Sequence, residues 1–113
     1  MLYAAIICFA IALLFGMVLL GFVIQGKKIP RVVSLSHGPL AIAGITILII
    51  YAFINGKGPI TSIVLFIIAA LGGLMMFYKD ITRKKVPPAL ALVHGIVAFI
   101  AFVVLVIYTF VPL

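Results

Sequence analysis

The chain alternates between long apolar segments and short polar breaks. Four apolar runs are each about 20 residues long, the length that crosses a bilayer core as an α-helix. They are Leu2–Ile24, Val32–Ile54, Ile60–Tyr78 and Ala89–Val111. Glycine, proline and lysine fill the breaks, and these residues end helices for steric and solvation reasons. The pattern therefore predicts four transmembrane helices joined by short loops.

Composition narrows the class of protein further. Of the 113 residues, 68% are hydrophobic and 8% are charged, whereas soluble domains average about 25% charged residues. This composition excludes a soluble enzyme, a disordered chain and a disulfide scaffold. Short loops make sequential helices antiparallel neighbours. We therefore predict an all-α integral membrane protein, with one transmembrane domain over residues 1–113 that forms an up-down-up-down four-helix bundle.

The positions of the basic residues indicate an orientation. The net charge is +7, and seven of the eight Lys and Arg residues lie in the first and third breaks; only Lys57 lies in the second. Basic residues placed between apolar runs are topology signals, so nucleic acid is not an expected partner. The positive-inside rule places both basic loops in the cytoplasm and both termini outside it. The expected location is a bacterial inner membrane.

The sequence also contains an internal repeat. When residues 1–56 are aligned with residues 58–113, a shift of 57 positions without a gap, eighteen of the 56 pairs are identical. The matches include the Lys-Lys-x-Pro and His-Gly segments. Each repeat, 1–57 and 58–113, is predicted to be a helical hairpin. Parallel repeats are related by an axis along the membrane normal, so we expect pseudo-twofold symmetry about that axis.

The only two histidines, His37 and His94, are aligned in the repeat. Small residues lie three, four and seven positions from each, on the same helix face: Ser34, Ala41 and Gly44 beside the first, and Ala91, Ala98 and Ala101 beside the second. The first and third helices carry matching small residues: Ala5, Ala12 and Gly16, and Ser62, Ala69 and Gly73. Two imidazoles that face each other across such a slot are a typical axial ligand pair for haem.

These features predict one haem b per chain, between the second and fourth helices near the cytoplasmic face. His37 and His94 are its predicted metal ligands, and the small residues beside them form the predicted pocket. Basic residues at the cytoplasmic end are the predicted partners of the propionates: Lys27, Lys28, Arg31, Lys84 and Lys85. Ser34 or Ser36 would add a hydrogen bond. Asp80, the only acid, lies four residues before Lys84 and is expected to pair with it.

The four-helix layout and the two His-Gly pairs together resemble the membrane four-helix b-type cytochromes, loosely the cytochrome b561-like group. The resemblance implies that His37 and His94 are axial ligands and that the protein transfers electrons rather than catalysing a reaction. A quinone or a soluble redox protein would be its partner. Larger members of the group hold two haems with four histidines, whereas this chain has histidines for one.

Two alternatives without a cofactor remain. Length and helix number also fit a small transporter or channel subunit, although the intramembrane glutamate of small multidrug transporters is missing. The chain would otherwise be a structural membrane subunit, since small residues commonly let transmembrane helices pack closely. An oligomer is compatible with each of these functions. A haem spectrum separates the cytochrome from both alternatives.

Overall fold

A computed structural model describes residues 1–111 of the chain; the last two residues of the predicted second repeat lie outside the described part. It consists of four helices: α1 (Leu2–Ile24), α2 (Arg31–Asn55), α3 (Ile60–Ile81) and α4 (Pro88–Phe110). All four are long and apolar enough to cross a membrane. The bundle measures 43 × 20 × 19 Å, and its long dimension is close to the roughly 40–45 Å of a bilayer with its headgroups.

Prolines define where three of the helices begin. Pro30, Pro59 and Pro87 are the residues immediately before α2, α3 and α4. Pro88 then occupies the first turn of α4, where a missing N–H costs no intrahelical hydrogen bond. For this reason α4 begins one residue earlier than its apolar run.

The third helix is longer than its apolar run. It continues through Lys79 and Asp80 to Ile81, although the sequence pattern placed its end at Tyr78. Charged residues do not interrupt an α-helix, and they follow the apolar segment at the end of the bundle where most of the basic residues lie. Length and hydropathy therefore predicted the apolar part of α3 correctly, but they did not predict its last, charged turn.

Helix α1 ends in a Schellman motif, in which two N–H groups return to carbonyls of the last turn. The Lys27 N–H donates to the Phe22 carbonyl at 3.0 Å, and the Gly26 N–H donates to the Val23 carbonyl at 3.1 Å. The motif requires a left-handed residue, and Gly26 has φ +68°. The chain thus turns back over the last turn of α1 before it starts α2.

Helix α3 ends in the same motif with a different residue at the turn. The Lys84 N–H donates to the Lys79 carbonyl at 2.7 Å, and the Arg83 N–H donates to the Asp80 carbonyl at 3.1 Å. Arg83 has φ +60°. A non-glycine residue in this conformation brings its Cβ too close to the following carbonyl oxygen, so α3 ends with local strain that α1 does not have.

The helices pack as a square in which α1 lies beside α2 and α4, and α3 lies beside α4 and α2. The two diagonals are therefore α1 with α3 and α2 with α4. The core is a small apolar cluster: Ala5, Phe9, Leu48, Ile63, Phe66, Ala101 and Leu105. At its centre the rings of Phe9 and Phe66 stack across the α1–α3 diagonal, with centroids 3.7 Å apart and planes 2° from parallel.

A glycine on α2 makes room for this aromatic stack. A Cβ on Gly44 would lie 2.6 Å from the Phe9 ring, closer than unbonded carbon atoms approach. On the other side, the Ser62 hydroxyl of α3 donates a hydrogen bond to the Ala101 carbonyl of α4, in a fully buried position. Small residues thus bring the helices close enough for backbone atoms to take part in core contacts.

Asp80 does not pair with Lys84 as the spacing suggested. Its carboxylate lies 3.9 Å from the Arg31 guanidinium, an ion pair that joins the end of α3 to the beginning of α2. Arg31 also lies over the Phe77 ring, 5.9 Å from its centroid. The helical spacing predicted Lys84 as the partner, whereas the packing of α3 beside α2 brings Arg31 closer to Asp80.

Large apolar side chains cover the outside of the bundle. Val32, Met17 and Phe53 are 79%, 69% and 84% exposed, and similar side chains surround all four helices. A soluble monomer rarely exposes contiguous apolar surface of more than a few hundred Å². The outer surface is therefore compatible with contact to lipid.

Candidate functional site

His37 lies in the second turn of α2 and points its ring at the backbone of α1. Its Nδ1 is 2.7 Å from the Ala12 carbonyl oxygen, and the two residues are 25 positions apart in the chain. His94 does the same in the second half of the chain. Its Nδ1 is 2.7 Å from the Ala69 carbonyl oxygen, again 25 positions away. Each histidine thus bonds to the first helix of its own hairpin.

These contacts fix the tautomer of both rings. A carbonyl oxygen only accepts hydrogen bonds, so Nδ1 must carry the proton and donate it. In a neutral imidazole the other nitrogen, Nε2, then has no proton and keeps a free lone pair. Histidines that bind metals commonly have this arrangement, with one nitrogen donating to a carbonyl and the other on the metal.

Two glycines let the imidazoles approach this closely. A Cβ on Gly16 would lie 3.1 Å from Cε1 of His37, and a Cβ on Gly73 would lie 3.2 Å from Cε1 of His94. Both distances are tighter than ordinary van der Waals contact. Of the small residues predicted on the first and third helices, Gly16 and Gly73 therefore make direct room for the rings. They leave open the carbonyls four residues earlier, which accept the histidine hydrogen bonds.

The two rings meet across the α2–α4 diagonal. Their centroids are 6.1 Å apart and their planes are inclined at 74°. Between them and the Phe9–Phe66 stack lies a cavity of about 50 Å³. Alanines form much of its wall: Ala12, Ala41, Ala69, Ala70 and Ala98. The repeat alignment predicted this meeting of His37 and His94, and the structure brings them together.

The donor atoms fit a haem iron, whereas the cavity does not hold a macrocycle at this helix spacing. Two neutral imidazoles with free Nε2 lone pairs are a suitable axial pair. A cavity of about 50 Å³, however, is far smaller than the roughly 300–1,000 Å³ of a typical ligand pocket. Within residues 1–111 no group of three or more His, Cys, Asp or Glu side chains is arranged to hold a metal ion. The histidine pair is therefore the candidate site.

Only some of the predicted pocket residues line the cavity. Ala41 and Ala98 line the cavity beside the histidines. Gly44 and Ala101 instead lie deeper, against Phe9 and Ser62 respectively. Ala91 is buried but does not line the cavity. The small residues seven positions from each histidine therefore serve the core below the site.

The predicted polar partners lie farther from the cavity. The Ser34 hydroxyl donates to the Arg31 carbonyl and the Ser36 hydroxyl to the Val32 carbonyl, both within α2. Arg31 is engaged by Asp80. The remaining predicted propionate partners are exposed residues of the two basic loops: Lys27, Lys28, Lys84 and Lys85. None of these basic residues lines the histidine cavity.

Sequence reasoning missed two features of the site. The carbonyls of Ala12 and Ala69 are backbone atoms, which no side-chain pattern identifies. The Phe9–Phe66 stack closes the cavity on the side away from the basic loops. Its signal was present, because these two phenylalanines are an identical pair in the repeat alignment.

Comparison with known proteins does not add a family to this geometry. No family model, no curated protein and no solved structure matches the chain.

Proposed function

We propose that the chain is an integral membrane b-type cytochrome that binds one haem between His37 and His94 and transfers electrons. One observation carries the proposal: two imidazoles from opposite helices, each with Nδ1 held by a backbone carbonyl, meet across the centre of the bundle. His37 and His94 would hold the haem, which would supply a one-electron redox centre suited to electron transfer rather than to oxygen chemistry.

The spacing of the rings supports this assignment. A metal–imidazole bond is about 2 Å long, and the ring centre lies about 1 Å behind the ligating nitrogen, so two imidazoles on one metal have centres about 6 Å apart. The ring centroids of His37 and His94 are 6.1 Å apart. The two imidazoles are therefore direct neighbours, on helices that would have to shift for a macrocycle to lie between them.

The backbone prepares the two ligands. Donation from Nδ1 to Ala12 and Ala69 fixes the orientation of each ring and makes Nε2 a better electron donor. The glycines at positions 16 and 73 keep the rings against those carbonyls. Because these bonds stay within each hairpin, the two hairpins can separate to admit a macrocycle without losing them. Ala41 and Ala98 then form the faces beside it.

The arrangement in the membrane completes the proposal. The two hairpins are a tandem repeat about an axis along the membrane normal. Buried pairs at aligned positions support this: Ala5 and Ser62, Phe9 and Phe66, Leu48 and Leu105. The positive-inside rule places the basic loops in the cytoplasm of a bacterial cell and both termini outside. Lys28, Lys84 and Lys85 are then near enough to the cytoplasmic end to attract propionates, and a quinone or a soluble redox protein is the partner.

A visible spectrum tests the proposal directly. The protein is expressed with a haem precursor, purified in detergent and measured oxidised and then reduced with dithionite. We expect a sharp low-spin b-type α band on reduction, with one haem per chain. His37→Ala and His94→Ala should each abolish that band. Ser36→Ala is the matched control, because its hydroxyl bonds only within α2.

Two results would contradict the proposal. The first is a helical, monodisperse protein without a Soret band even after hemin is added. The second is an unchanged haem content in both histidine variants, which would remove the ligand assignment. Circular dichroism of every variant shows that its helices are intact.

A cofactor-free membrane subunit is the second candidate. The small cavity favours it, since the histidines already have hydrogen-bond partners and the space beside them is only about 50 Å³. In that case the two imidazoles fasten α1 to α2 and α3 to α4. A folded protein that never binds hemin, and that loses thermal stability in both histidine variants, would select this function.

A further inference from the structure

A surface groove lies beside Gly21, outside the histidine site. It lies near the basic end of α1 and has a volume of about 200 Å³. Its walls are apolar toward the middle of the bundle and polar toward the end: Met17, Val18, Gly21, Phe22, Gln25 and Lys27. A Cβ on Gly21 would meet no atom within 4 Å. The groove is therefore space that the missing side chain leaves on the outer face of α1.

The helix end places a cation at the polar end of this groove. The Schellman motif bonds the Lys27 N–H to the Phe22 carbonyl at 3.0 Å, which returns the chain over the last turn of α1. Lys27 and Gln25 consequently line the groove at the end where seven of the eight basic residues lie. The apolar part of the groove therefore leads directly to the Lys27 ammonium and the Gln25 amide.

The second hairpin shows the same place filled. Tyr78 aligns with Gly21, and Lys84 aligns with Lys27. The Lys84 Nζ lies over the Tyr78 ring, 5.8 Å from its centroid. In the second hairpin the lysine therefore has an aromatic partner of the chain itself, while in the first hairpin the corresponding space is open.

We propose that the Gly21 groove binds one phospholipid with an anionic headgroup. An acyl chain lies along Met17, Val18 and Phe22, and the phosphate accepts from the Lys27 ammonium and the Gln25 amide. Charge complementarity identifies this occupant. A neutral apolar molecule would leave the Lys27 ammonium without a partner, and a free phosphate would leave the apolar part of the groove unfilled. The inference rests on the membrane insertion in the proposed function and not on haem binding.

Native mass spectrometry of the full chain in detergent tests this inference. The protein is titrated with phosphatidylglycerol or with phosphatidylcholine of the same acyl chains. We expect one phosphatidylglycerol to bind preferentially. Lys27→Gln should weaken that binding by about fivefold, the effect typical of one lysine near an anionic headgroup. Gly21→Leu should weaken it at least as much, because the side chain fills the groove, starting from a Cβ position that meets no atom within 4 Å.

Lys84→Gln is the matched control, since it removes the same charge at the aligned position, where Tyr78 fills the space. It should leave phosphatidylglycerol binding unchanged. Equal losses in Lys27→Gln and Lys84→Gln would show diffuse attraction and overturn the inference. Undiminished binding in Gly21→Leu, or equal binding of the two lipids, would overturn it as well.

The same samples separate this inference from the haem assignment. The haem content of Gly21→Leu should equal that of the unchanged chain, because Gly21 does not line the histidine cavity. If the protein binds phosphatidylglycerol selectively but no haem, the lipid inference stands and the haem assignment is wrong. If it binds haem but shows no lipid selectivity, the haem assignment stands and the lipid inference is wrong. Release of the chain from membranes by alkaline carbonate would overturn the insertion on which both depend.

Discussion

At the residue scale, the histidine site depends on the absence of two side chains. Gly16 and Gly73 let the imidazoles of His37 and His94 reach backbone carbonyls on the neighbouring helices. Elsewhere in a helix a glycine is destabilising by about 0.5–1 kcal/mol relative to alanine, because it loses more conformational freedom on folding. Glycines that touch an imidazole and glycines that touch nothing should therefore respond oppositely to the same substitution.

Gly16→Ala is expected to destabilise the bundle by about 1 kcal/mol, since the new methyl group overpacks the contact with His37. Gly95→Ala is the matched control, because Gly95 follows His94 on α4, is not followed by a proline, and a Cβ there meets nothing within 4 Å. The control should be neutral or slightly stabilising. Thermal unfolding in detergent, followed by circular dichroism, measures both. Equal melting temperatures for the two variants would contradict the contact.

At the element scale, α1 and α3 end in the same motif with unequal residues at the left-handed position. Gly26 adopts φ +68° without strain, whereas Arg83 adopts φ +60° against a steric penalty. The two motifs therefore allow a glycine and an arginine in the same left-handed conformation to be compared within one chain. The last turn of α3 is expected to fray more readily than the last turn of α1.

Replacing Arg83 with glycine should stabilise the protein by about 1 kcal/mol, the lower end of the cost of a left-handed non-glycine residue. Gly26→Ala should have the opposite effect by a similar amount. Lys85→Gly controls for the lost charge, because Lys85 follows the cap and makes neither of its hydrogen bonds. The readout is the midpoint of thermal unfolding. A lower midpoint for Arg83→Gly would indicate that the arginine side chain has a stabilising role instead.

At the scale of the whole molecule, the basic residues are concentrated at one end of the long axis of the bundle. The bundle is 43 Å long, its sides are apolar, and one end holds seven of eight basic residues. The Arg31–Asp80 pair leaves most of that positive charge uncompensated. The molecule is therefore strongly polarised from end to end, and this asymmetry predicts one orientation in a membrane.

Cysteine labelling in intact cells tests that orientation. In a Cys8→Ser background, Lys57→Cys should react with a membrane-impermeant maleimide applied from outside. Lys28→Cys should react only after the cells are permeabilised. Permeabilised cells of both variants give the maximum labelling for comparison. The reverse pattern would invert the proposed topology, and equal labelling of both in intact cells would indicate a mixed orientation.

The sequence predicted the four helices and the meeting of the histidines because both depend on local or repeated patterns. Apolar length and proline breaks are visible residue by residue, and the alignment of His37 with His94 places them at the same level of the bundle. The pairing of Asp80 with Arg31 was not predicted, because it depends on how α2 packs beside α3. The Ala12 and Ala69 carbonyls escaped prediction for a different reason, since every residue has a carbonyl and only the glycines four positions later distinguish these two.

The location of both histidine hydrogen bonds within single hairpins has a consequence for biosynthesis. Residues 1–57 contain His37, its carbonyl partner and the glycine beside it, so the first histidine can be oriented while the ribosome is still producing the second hairpin. The second half repeats the same step with His94. Contacts between the halves, such as the Phe9–Phe66 stack, can form only once the second hairpin has been made. Any small molecule that is to lie between the two rings would enter at this late stage of assembly, between two hairpins already formed.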